Sequence, residues 1–157
     1  MTKVPSIPAA SSAEKFRVLI VQSPYYEPIA AQLLAGAKAR LETAGCEIEI
    51  ASVPGALEIP GTISIAYEFG DYDGFVALGC VIRGETTHYE IVSGESARGL
   101  MDLSIDGACI GNGILTVENE GQAMKRANVA DMNKGAGAAE ACLAMMQFRL
   151  DQESRDD

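Results

Sequence analysis

The sequence predicts an α/β fold, a three-layer α/β/α sandwich with helices on both faces of a four-stranded parallel sheet. Three observations carry that prediction. Gly74-Phe75-Val76-Ala77-Leu78-Gly79-Cys80-Val81-Ile82 is an almost unbroken apolar run, the pattern of a strand buried on both faces. A helical pattern follows it, with Tyr89, Val92, Ser96, Gly99, Leu100 and Leu103 recurring at three- and four-residue spacing. Strand-like and helix-like segments then alternate along the chain, as a parallel sheet with crossover helices requires.

Residues 16–21 are a short, β-branched run and read as the first strand. Pro24 ends it. Glu27 and Pro28 supply an acidic first turn and an early proline for a helix that uses Ile29, Leu33, Ala37 and Leu41, with Gly45 placed to terminate it. Residues 46–53 alternate polar and apolar, so this second strand has a more exposed face and belongs near a sheet edge. Pro54-Gly55-Ala56-Leu57-Glu58-Ile59-Pro60 is a stiff turn around a carboxylate, followed by a helix using Ile59, Ile63, Ala66 and Tyr67. After the central strand and its helix, residues 108–117 form the fourth strand, where Gly111 and Gly113 mark the close approach of a backbone or a ligand. Asn119 caps a short helix over 120–127, and a connector over 128–134 leads to a last helix using Ala138, Ala141, Cys142, Met145 and Phe148. One domain is expected over 16–150, with a flexible leader over 1–15 and a C-terminal tail over 151–157 that is charged and frayed from Gln152 onward.

The formal charge of −10 leaves no electrostatic footprint for nucleic acid and argues against an anionic membrane surface. It does not exclude an anionic small molecule where a few cations converge. No apolar run reaches the roughly 18 residues of a membrane span, and no signal peptide is evident. Cys46, Cys80, Cys109 and Cys142 are widely spaced and His88 is the single histidine, so a metal site is not expected. Reduced, buried thiols suit the cytoplasm.

Gly84-Glu85-Thr86-Thr87 lies at a strand-to-helix junction, where unpaired backbone N–H groups and hydroxyls can hold a phosphate. Simple capping would equally explain the threonines, and Glu85 must point away from an anion. His88 follows at the helix start, either to move protons or to make a structural hydrogen bond. Glu58 between two prolines is a site carboxylate or a solvated one. Arg126 and Lys134 bring cations after the fourth strand, or a basic helix end. Tyr25 and Tyr26 stand at the carboxyl end of the first strand, to stack on a heterocycle or simply to pack.

Four blocks in order carry a family resemblance: residues 54–60, residues 79–89 (Gly79-Cys80-Val81-Ile82-Arg83-Gly84-Glu85-Thr86-Thr87-His88-Tyr89), residues 113–119, and Asn133-Lys134-Gly135. Together the segments resemble lumazine synthases over residues 16–150. The resemblance implies a flavodoxin-like fold and the condensation of 5-amino-6-(D-ribitylamino)uracil with 3,4-dihydroxy-2-butanone 4-phosphate. The products would be 6,7-dimethyl-8-ribityllumazine, phosphate and water, with no metal or organic cofactor. Carried over by position, Tyr25 matches the aromatic stacked on the pyrimidine, while Ala56, Leu57 and Glu58 with Cys80, Val81 and Ile82 match the segments holding the uracil and ribityl chain. Glu85 and Thr86 match the phosphate-contacting turn, His88 the proton-transferring residue, Arg126 the phosphate-binding arginine and Lys134 an accessory cation. The resemblance also implies a homo-oligomer, preferably a pentamer, with sites at subunit boundaries, and a functional link to riboflavin synthase.

Three departures stand out. Pro24-Tyr25 replaces the usual Arg-Phe, which leaves the aromatic role open between Tyr25 and Tyr26. Asn112 stands where many members have an aromatic that covers the ring from a neighbouring subunit. The connector lacks the Gly-rich form associated with icosahedral shells. An altered site would instead suit a non-catalytic flavin- or lumazine-binding paralogue, and a generic phosphate-binding signalling module is a more distant alternative.

Overall fold

The computed structural model describes residues 15–155, so most of the expected leader lies outside the described residues. Each βαβ unit forms where the sequence pattern places it. β1 (Arg17–Gln22) leads to α1 (Glu27–Thr43), β2 (Glu47–Ser52), a 3₁₀ turn over Ala56–Glu58 and α2 (Ile59–Phe69). β3 (Gly74–Ile82) and α3 (His88–Ile105) follow, then β4 (Ile110–Val117), α4 (Glu120–Ala127) and α5 (Lys134–Arg155). All pairings are parallel, and the strand order is β2-β1-β3-β4.

Alternation along the central strands decides the two cores. Val18 and Ile20 of β1 join Val76 and Leu78 of β3 beneath α1 and α5, while Leu19, Val21, Phe75 and Ala77 point oppositely, against Ile59, Ile63, Val92 and Leu100 of α2 and α3. Both faces of β1 and β3 are therefore buried, which explains their unbroken apolar runs. β2 is an edge strand, with Ile50 42% exposed.

Two local predictions resolve physically. Gly45 has φ +80 just after the Ala44 cap of α1, the left-handed stop that glycine adopts cheaply. Gly111 answers to backbone: a Cβ there would lie 1.7 Å from the Ala138 carbonyl oxygen, so α5 packs directly on β4.

Two expectations need correcting. The face of α5 read from sequence included Ala141, Met145 and Phe148, but these are exposed, and the helix buries Ala138, Ala139, Cys142, Leu143 and Met146 instead, because Gly74 and Gly111 let that side approach the sheet closely. The chain was expected to fray from Gln152, but α5 continues through Arg155. Gln147 donates to Asp151 at 2.9 Å, the Ser154 hydroxyl donates to the Leu150 carbonyl at 2.8 Å, and Arg155 complements the helix dipole. No helix among the described residues is long and apolar enough to cross a membrane.

Candidate functional site

In this strand order the chain leaves β1 in one direction, to β2, and returns on the other side as β3. The crevice at the carboxyl ends of β1 and β3 is thus the topological switch point, where open α/β sheets hold ligands. A cleft of about 360 Å³ lies there. β1 hands it Ser23, Tyr25 and Tyr26, the turn after β2 supplies Pro54, Gly55 and Ala56, and β3 supplies Cys80, Val81 and Ile82. His88 and Val92, on the first turns of α3, complete the wall.

The two loop segments of this cleft are pinned by hydrogen bonds to the sheet and to each other. Ser23 N–H donates to the Leu78 carbonyl at 2.9 Å, Val53 N–H to the Gln22 carbonyl at 2.9 Å, and the Ser23 hydroxyl to the Pro54 carbonyl at 3.4 Å. The tyrosines separate in role. Tyr25 is 75% exposed at the rim, whereas Tyr26 packs against the core, and burial raises its phenol pKa above the ordinary value. Their rings meet edge to face with centroids 4.9 Å apart. Burial pushes the Cys80 thiol up to about 11, so this cysteine is a neutral wall residue and not a thiolate nucleophile at neutral pH.

Leu57 and Glu58 lie on the exposed 3₁₀ turn beside the cleft, and a Cβ on Gly55 would stand 3.7 Å from both Glu58 carboxylate oxygens. Glu85 and Thr86 are exposed in the turn before α3. There the Thr86 hydroxyl accepts from the His88 backbone N–H at 3.3 Å, and Thr87 occupies the cap position without a side-chain cap bond.

Asn112, Arg126 and Lys134 are not in this cleft. They line a second cavity of about 380 Å³ along β4, closed by α4 and by Gly137, Ala138 and Ala141 of α5. Arg126 reaches it because Asn119 caps α4, accepting from Gln122 N–H at 2.8 Å, and the Arg126 guanidinium donates to the Gln122 carbonyl at 3.1 Å. Lys134 is set by a tight crossing of α1 and α5. Asn133 takes φ 48, its amide oxygen sits where a Gly36 side chain would be, and a Cβ on Gly135 would lie 2.1 Å from the Leu33 carbonyl. Among the described residues neither Arg126 nor Lys134 has a carboxylate partner, although the chain carries a formal charge of −10. Asn112 uses its carbonyl oxygen to accept from Ile114 N–H at 2.9 Å, leaving its NH₂ group unused by that bond.

The structure thus gathers Tyr25, Ala56, Cys80, Val81, Ile82 and His88 in one cleft and Asn112, Arg126 and Lys134 in another. Ser23, Pro54, Gly55 and Val92 were not named from sequence as site residues. Their signal was position alone, since each follows a strand end or faces the cleft from the helix start. No group of three or more His, Cys, Asp or Glu among the described residues could hold a metal ion.

A parallel sheet with a ligand-sized cleft at its switch point and an imidazole at a helix start has the architecture of a small-molecule-binding α/β protein. The family model for 6,7-dimethyl-8-ribityllumazine synthase matches residues 15–149, and the chain belongs to that family. It is 57% identical over 133 residues to a 6,7-dimethyl-8-ribityllumazine synthase of Novosphingobium aromaticivorans, covering 85% of this chain and 96% of the relative. A protein of the same name from Methylobacterium radiotolerans is 56% identical over 146 residues, covering 92% of this chain and 87% of the relative.

Proposed function

We propose that the His88 cleft and the Arg126 cavity are complementary halves of one active site, joined where two chains meet. The chain is a transferase of riboflavin biosynthesis that makes 6,7-dimethyl-8-ribityllumazine from 5-amino-6-(D-ribitylamino)uracil and 3,4-dihydroxy-2-butanone 4-phosphate, releasing phosphate and water. The observation that carries the shared-site reading is the separation of two cavities of similar size, one walled by apolar groups and His88, the other holding two cations without carboxylate partners.

The uracil ring stacks on Tyr25, the exposed tyrosine, with its ribityl chain along Ala56, Leu57 and Glu58 and the edge of Cys80, Val81 and Ile82. The butanone phosphate lies against Gly84-Glu85-Thr86-Thr87, with the Glu85 carboxylate turned away and the anion held by backbone N–H groups, the Thr86 hydroxyl and Arg126. Lys134 adds a second positive charge. His88 moves the protons that imine formation and ring closure require, and the site's main contribution is to hold two small molecules in register while water and phosphate leave.

Assembly is supported by apolar side chains left outside: Ile91, Met101 and Ile105 on α3, Ile65 and Phe69 on α2. Such a face suits burial against further copies in a closed ring, and a pentamer is the assembly we favour. Asn112 presents an amide where an aromatic ring would cover a flavin, so stacking of flavins or product should be weak. The four free thiols fit the cytoplasm, and the lumazine product gives a functional link to riboflavin synthase.

The test is turnover. Purified protein supplied with both substrates should generate lumazine absorbance well above the uncatalysed background, and no excess over background would overturn the reading.

A further inference from the structure

Arg83 is the cation adjoining the anion turn in sequence, yet its charge is already matched. Its Nη1 donates to Glu90 Oε1 at 2.7 Å, its Nε lies 2.9 Å from Glu118 Oε2, and its guanidinium carbon sits 4.4 Å from the centroid of the Tyr89 ring. Its backbone N–H donates to the Val117 carbonyl at 2.9 Å, extending the β3–β4 pairing by one residue. The turn beyond it has little other support. A Cβ on Gly84 would meet nothing within 4 Å, and residues 84–88 are exposed. Glu118, by contrast, is anchored, because its backbone N–H donates to the Gln122 side chain at 2.8 Å, one residue before the Asn119 cap of α4.

We infer that Arg83 is a positioning residue for the reaction. It fastens Tyr89 and Glu90, in the first turn of α3, to Glu118 at the start of α4, and so fixes the direction of the 84–87 turn and of the His88 imidazole. It does not itself grip the anion. A guanidinium between two carboxylates offers little net positive charge, while its planar fork can hold both and stack on a ring at once. Lysine keeps the charge but is a point donor and cannot satisfy all three contacts.

The inference rests on the proposed active site, and its test has an arm that does not. In Arg83→Lys, kcat should fall by about three- to tenfold, an upper range set by the weakness of exposed ion pairs. KM for either substrate and the binding of inorganic phosphate should stay within about twofold, as expected when orientation and not affinity is lost. Glu118→Gln should reproduce the loss, and the double variant should be no worse than the poorer single one, because both break one bridge. His88 is the sole histidine, so its ring protons are identified in an NMR spectrum without assignment, and they should shift in both variants. Weaker phosphate binding with unchanged kcat would make Arg83 an anion ligand and overturn the inference. Multiplicative losses in the double variant, or an unmoved His88 ring, would overturn it too. If the unsubstituted protein makes no lumazine, the functional reading fails, while the ring-proton comparison still decides whether Arg83 positions His88.

Discussion

The cleft between β1 and β3 and the cavity along β4 have nearly equal volumes, about 360 and 380 Å³, but opposite chemistry. The first has a tyrosine at its rim, a protonated thiol and an imidazole. The second has a guanidinium and an ammonium without carboxylate partners among the described residues. Size therefore does not distinguish them; the side chains do. Under the proposed function, an uncharged ring substrate would take the first and the phosphate of its partner the second, so each cavity would supply half of a shared site.

The strongest way to break this comparison is to separate the halves genetically. His88→Ala and Arg126→Ala chains, unfolded together and reassembled, should be more active than either variant alone, because some mixed interfaces pair an intact His88 with an intact Arg126. Mixed oligomers that stay as inactive as the separate variants would place the whole site within one chain. Arg126→Ala by itself should cost about 100-fold or more in kcat/KM for the phosphorylated substrate, the range seen on losing a key anion-stabilising donor. Uracil affinity should hardly change. Lys134→Ala should cost less, since a lysine contributes a point charge and no bidentate grip. Equal weakening toward both substrates would give Arg126 a structural role.

On the other side, His88→Ala should slow turnover by about 10- to 100-fold, the low end of general acid–base effects, with the fold retained because His88 is exposed. An unchanged pH–rate profile would remove the imidazole from proton transfer. Cys80 sharpens the contrast more gently. With its thiol pushed up to about 11, alkylation by iodoacetamide should stay slow at pH 8, and Cys80→Ala should alter kcat/KM by only about two- to fivefold. Rapid modification at neutral pH would show a thiolate that burial ought to forbid.

The smallest effect lies far from both cavities. Arg17, Glu49 and Tyr72 form an exposed cluster in which hydrogen bonds from Tyr72 and then Arg17 hold the Glu49 carboxyl below its usual 4.5. A depressed folded pKa means that the contribution is present above the unfolded value and disappears as pH falls through the folded one. Glu49→Gln should therefore lower the thermal midpoint slightly at pH 7, and by less at an acidic pH well below the ordinary carboxylate range, while leaving turnover at neutral pH untouched. Equal midpoint differences at both pH values would deny the pairing any role.

The sequence by itself determined β3 to the residue, because burial on both faces leaves no polar position in the run from Gly74 to Ile82. It also determined the α1 stop at Gly45, the Asn119 cap and the edge placement of β2, since each follows from local conformation or alternation. His88 was legible as a lone imidazole at a strand-to-helix junction. Tertiary structure alone decided which tyrosine is buried, because Tyr25 and Tyr26 are chemically near-identical neighbours and only packing against the α1 side of the sheet tells them apart. It likewise decided that Gly111 admits α5, that α5 runs through Arg155, and that Arg83 is occupied by Glu90 and Glu118. The placement of Arg126 and Lys134 away from His88 within one chain belongs to this second group: β4 is an edge strand, and its far side opens onto a different cavity, a fact of strand order that no local pattern encodes.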